Sequence, residues 1–225
     1  MIKVSKYWNE KQKKLPVLLS KQETFVSGIE LLHFMHSFLH NGKVYKINRN
    51  TFYDNLWEDL DEETCRIISK KETSILWNIW HITRIEDLIS NLIIGKKDTV
   101  FNKEIQEKLK IKIKDTGNAM TYSEIEKFNK NICIKELLDY RIKVGKSTKK
   151  IIEKIDYKDI KRKVEKEQLE KIKQNGGVIN DPKSIWLLDF WSKKNILGLI
   201  MMPITRHQIV HLNDCYNIKK QYLRN

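Results

Sequence analysis

Proline and glycine are scarce in this chain, with three and eight copies in 225 residues. So few breakers leave room for long helices and argue against a many-turned β-sandwich. Cysteine is equally sparse: Cys65, Cys133 and Cys215 are odd in number and widely spaced, with no CxxC pair. That excludes a disulfide framework and a cysteine zinc knuckle, and it fits a reducing compartment. Long apolar runs are missing too. LPVLL at 15–19 is too short for the apolar region of a signal peptide. ILGLIMMPI at 196–204 falls far below the roughly 20 residues of a spanning helix. These absences predict a soluble, cytoplasmic protein.

What is present is a chain that is 40% hydrophobic and carries a net charge of +14. The length suits one domain, 1–225, with a sizeable core. The charge invites a nucleic-acid reading. However, the lysines are spread along the chain, and where they cluster, at 146–173, acidic residues are mixed in. A solvated helix face is the usual meaning of such a stretch, so nucleic acid and membrane are not the expected partners.

Helix punctuation is frequent. Ser20–Glu23, Ser69–Glu72 and Thr121–Glu124 each have the spacing of a capping box, and Asn41-Gly42, Gly95 and Gly176-Gly177 read as stops. Between them the spacing predicts helices over 23–40, 72–94, 122–132, 135–154, 157–174 and about 194–222. Only KVYKI at 43–47 alternates like a strand. The expected class is all-α, with four long helices forming a bundle and shorter helices between them. Pro203 lies inside the last helix; it would either kink that helix or open a new one, and the apolar run on both sides favours a kink.

The six histidines fall in three places: His33, His36 and His40; His81; and His207 with His211. A spacing of four puts His207 and His211 on one helical face, where both rings can reach one cation. A third imidazole from elsewhere is then needed, and His81, on a long helix that must pack against its neighbours, is a candidate. Gln208 stands where HExxH proteases carry their glutamate base, which excludes that mechanism. By spacing alone the pair reads more readily as two hydrogen-bonded histidines without a metal. His36 and His40 share the spacing and read as partly buried positions on an amphipathic helix. Around His81, SILWNIWHITRIEDLI aligns Trp77, His81 and Arg84 on one face. This is either a pocket or a tryptophan-rich core in which Arg84 pairs with Glu86, Asp87 or a residue across the bundle.

WNIWHITRIEDL and MPITRHQIVHLND together resemble the DinB/YfiT-like superfamily, bacterial four-helix bundles with one histidine on the second long helix and an HxxxH pair on the last. The resemblance implies a DinB-like four-helix bundle with a divalent cation, zinc or nickel, on His81, His207 and His211. It also implies a small-molecule enzyme, in several families a thiol-dependent S-transferase or isomerase using a low-molecular-weight thiol, often as a homodimer. The alternative is a non-enzymatic, stress-related bundle that binds metal or ligand. On the enzyme reading, Arg84, Trp77 and Arg206 would contact substrate, with Arg84 or Arg206 holding a carboxylate. Asp214 and Asn213 would accept the outer N–H of the ligand imidazoles. Cys215, one turn beyond His211, reads first as a buried structural thiol. The segment 96–175 carries charged helical sequence beyond that of shorter family members.

Overall fold

A computed structural model describes residues 2–222, with side chains from Lys6 onward. Met1 and 223–225, which the single-domain reading included, lie outside the described residues. Among those described the fold is all-α with no strand; a single isolated bridge joins Lys163 and Asn195. No described helix is long and apolar enough to cross a membrane.

The helices are α1 (Ile2–Leu19), α2 (Phe25–Phe38), α3 (Phe52–Trp57), α4 (Glu62–Arg66) and α5 (Ile75–Asp87). They continue with α6 (Lys103–Leu109), α7 (Tyr122–Asn131), α8 (Ile134–Ile152), α9 (Lys166–Gln174), α10 (Pro182–Ser192), α11 (Ile196–Leu199) and α12 (His207–Tyr222). A π-helical segment, Leu88–Ile94, extends α5, and a second, Ile200–Arg206, joins α11 to α12. α1 packs on α2, α2 on α8, α8 on α5, and α5 on α12; the second π segment returns to α1. The four long helices expected from the sequence are present, and α1 joins them as a fifth.

Local differences have local causes. The expected capping box at Thr121 forms, with Glu124 closing it. The other two do not. Ser20 instead donates to the carbonyl of Pro16 at the end of α1, and α2 starts only at Phe25. At α5 Ser74, not Ser69, is the cap: its hydroxyl accepts from the Trp77 N–H at 2.9 Å. Residues 69–73 form a turn in which Glu72 takes a left-handed conformation. KVYKI is no strand; Gly42–Val44 is a 3-10 turn, and Lys46 is left-handed. The expected helix over 157–174 is interrupted, with a 3-10 turn at Tyr157–Asp159 and α9 starting at Lys166.

Pro203 sits inside the second π segment and does not start a helix there. The wider turn frees carbonyls, and side chains take them up. Gln12 donates to Met201 at 2.7 Å, Thr205 to Ile200 at 2.9 Å, and Gln208 to Pro203 at 3.2 Å. A proline is tolerated in a helix interior when such partners replace the lost ladder bond.

Candidate metal centre

α5 is buried along its whole length, including Asn78, His81, Arg84, Glu86 and Asp87. A helix enclosed on every side must satisfy each of its polar side chains inside the protein. The segment 114–117 does this for one face, with four consecutive carbonyls. Lys114 accepts from Arg84 Nε at 2.6 Å, Asp115 from Trp80 Nε1 at 3.1 Å, Thr116 from His81 Nδ1 at 2.7 Å, and Gly117 from Trp77 Nε1 at 3.2 Å. Gly117 has φ +78, and a Cβ there would stand 3.0 Å from Trp77 Nε1. A side chain would therefore meet both backbone strain and a clash.

A carbonyl can only accept, so His81 must carry its proton on Nδ1. Its Nε2 lone pair then faces His207 Nε2, 3.1 Å away. His211 is fixed in the same manner. Asn78 spends its Nδ2 on the Ser74 carbonyl at 2.7 Å, so its Oδ1 accepts the His211 Nδ1 proton at 2.6 Å. One ligand nitrogen from each of His81, His207 and His211 lies within 4.8 Å of the other two. The three ring centroids are 4.5 to 5.0 Å apart. Trp77 stacks on His81 at 4.7 Å and 9°, closing one side. His81 is 3% exposed, while His207 and His211 are half-buried and form the open side.

Burial keeps all three imidazoles neutral. It pushes His81 down to about 3, helped by the charge His211 would carry. It holds His207 well below the usual histidine range, with His81 and His211 adding to the effect. It pushes His211 down to about 4, with the Lys71 ammonium as the second cause. Neutral imidazole is the ligand form. The donor set therefore fits a divalent ion: three lone pairs converge, and outer hydrogen bonds fix two of the rings. His207 Nδ1 is buried and has no partner among the described residues.

The other expected residues are placed as follows. Trp77 is at the site. Arg84 is fully buried, bound to the Lys114 carbonyl, 3.4 Å from Asp87 and 4.5 Å over the Phe101 ring, with no hydrogen bond to the histidines among the described residues. Arg206 is exposed, with no hydrogen bond or ion pair among the described residues. Asp214 pairs with Lys71 at 2.7 Å rather than with an imidazole. Asn213 is half-buried and makes no side-chain hydrogen bond among the described residues. Cys215 is fully buried, and burial pushes its thiol up, away from the reactive thiolate. The outer partners of the ligands are Asn78 and the Thr116 carbonyl, which the sequence reading did not identify. Asn78 had a signal, as an amide amid the tryptophans of α5; a backbone carbonyl has none.

An all-α chain with three convergent imidazoles is the class that this fold and geometry define. No protein-family model matches the chain, and none of the curated proteins matches it either.

Proposed function

We propose that the protein is a divalent-cation-dependent enzyme acting on a small molecule, with zinc or nickel on His81, His207 and His211. The observation that carries this reading is the convergence of those three imidazole nitrogens within 4.8 Å. The DinB-like resemblance supplies the reaction class, S-transfer from a low-molecular-weight thiol, with hydrolysis and isomerisation as its relatives. When bound, such a cation lowers the pKa of a coordinated thiol or water and polarises a substrate oxygen.

The chain's own residues do the rest. Thr116 and Asn78 hold two imidazoles in the tautomer that points Nε2 inward. Trp77 excludes water from the far side of His81. Arg206, adjacent to His207 in the chain, is exposed and makes no ion pair among the described residues, and on this reading it holds a substrate carboxylate. Lys71, close enough for its charge to be felt at His211, lines a cavity of about 200 Å³ with Thr73, Asp214 and Asn217. Arg84, committed to Asp87 and Lys114, is not available for that task.

The burial of Arg84 favours a second reading, a bundle that binds cation or ligand without turnover; consumption of thiol by the cation-loaded protein separates the two. Equilibrium dialysis against zinc or nickel, followed by elemental analysis, tests the site itself. His211→Ala should lose about one equivalent per chain relative to the wild type. Equal metal content in the two proteins would remove the reading.

A further inference from the structure

Five residues beyond His81 on α5, Glu86 is completely buried between the imidazoles of His36, on α2, and His40, two residues past the end of α2. His36 Nε2 lies 2.9 Å from Glu86 Oε1, and His40 Nε2 lies 3.0 Å from Oε2. The two rings are 4.2 Å apart, centroid to centroid. His36 and His40, like Glu86, have no exposed surface. On its outer nitrogen, His36 Nδ1 is 2.9 Å from the Tyr45 hydroxyl, which also reaches His33 Nδ1 at 3.1 Å. On the other flank α8 presents Gly145 to the His40 ring. A Cβ there would stand 2.6 Å from His40 Nδ1, so the ring occupies space that any side chain would take.

We propose that His36, His40 and Glu86 form a second divalent-cation site, closed and structural, separate from the three-histidine centre. Two imidazole nitrogens and one carboxylate supply three ligands; chelation through the second carboxylate oxygen, whose narrow bite distorts the tetrahedron, would complete a four-coordinate site without water. Ligand atoms of the three residues lie within 4.8 Å of one another. The hydroxyl of Tyr45 on His36 Nδ1 is the outer contact that orients a ligand imidazole. Without a cation, the buried Glu86 carboxylate rests on the two imidazoles alone, and burial pushes the His40 imidazole down to about 3, so that ring brings no positive charge to it. The Arg141 guanidinium, on α8, is directed at neutral acceptors: Thr83 Oγ1, the Leu39 carbonyl and Gln208 Oε1. Its charge is felt at His40 and opposes a cation there, which the Glu86 carboxylate offsets. A divalent ion at this point would tie α2 to α5, the helix that also carries His81.

The test uses His207→Ala/His211→Ala full-length protein, which lacks the first centre, refolded with cobalt(II). One equivalent of cobalt should bind, with the visible absorption of a four-coordinate ion. Adding Glu86→Gln should weaken binding by more than about 100-fold, because a ligand is worth more than an outer contact. Adding Tyr45→Phe, which leaves the buried carboxylate intact, should weaken it by about 10-fold. If Glu86→Gln fails to fold, the Tyr45→Phe titration decides. Absence of cobalt from the double variant, or binding unmoved by Tyr45→Phe and Glu86→Gln, would overturn the proposal. Neither result bears on the three-histidine centre, which is missing from every protein in the series.

Discussion

Asn78 and Asp214 set the residue-scale question: which oxygen orients a ligand imidazole. The amide of Asn78 is locked from below by the Ser74 carbonyl and accepts from His211, whereas Asp214 is turned to Lys71. Asn78→Ala should therefore lower zinc affinity about 10- to 100-fold in a competition titration with a chromophoric chelator. Asp214→Ala should leave it within a factor of about two, since its exposed pairing with Lys71 is worth little. A loss in Asp214→Ala matching that of Asn78→Ala would reverse the assignment. The grouping of the three histidines was legible from i, i+4 spacing, which sets two rings on one helical face, and from the resemblance that placed His81 with them; spacing alone left the pair open. The outer contacts were not, because proximity in sequence favoured Asn213 and Asp214 on the same helix. The true partners come from α5 and from a loop, positions that only tertiary packing brings near.

At the scale of elements, the decisive piece is the segment 114–117, part of the stretch that in sequence reads only as extra charged helix. Its carbonyls bind Arg84, Trp80, His81 and Trp77 in order, so the stretch holds the face of α5 on which His81 stands. Nothing in hydrophobic period announces such a role, because it rests on backbone acceptors. Gly117 is the place to test it. Gly117→Ala must adopt φ near +78 and displace Trp77. Chemical denaturation should show a loss of more than about 1 kcal/mol, and zinc affinity should fall with it. A stability equal to wild type would mean that the loop does not constrain α5. The capping boxes teach the same lesson from the other side. Thr121 and Glu124 close theirs, while Ser69–Glu72 has the spacing without the helix. There Ser74 is held by Asn129 at 2.7 Å and caps α5 five residues later.

Across the whole molecule, the all-α class and the four long helices were readable from the scarcity of proline and glycine and from the apolar period. α1 was not, because its sequence is basic and holds Pro16, and its place in the ring depends on contacts with α2 and with Ile200–Arg206. The interior that results keeps imidazoles neutral, and this has a consequence for the cation-free protein. His81 and His211 titrate at about 3 and about 4 when folded, but near 6.5 when unfolded. Between those values the unfolded chain binds more protons than the folded one, so stability rises with pH. Denaturation midpoints of chelator-treated protein should therefore fall as pH is lowered from about 6.5 to about 4. The part of that fall due to the site should be smaller in His81→Gln, which has one fewer group to titrate. An identical pH profile in the two proteins would show that the site does not contribute.

The central claim is that three imidazoles from two distant helices hold one ion. Its most direct test is a crystal equilibrated with zinc and measured above the zinc absorption edge. An anomalous peak is expected about 2.0–2.1 Å from the inward nitrogens of His81, His207 and His211. A map with no peak among those three rings, at a zinc concentration that saturates the protein in solution, would contradict it.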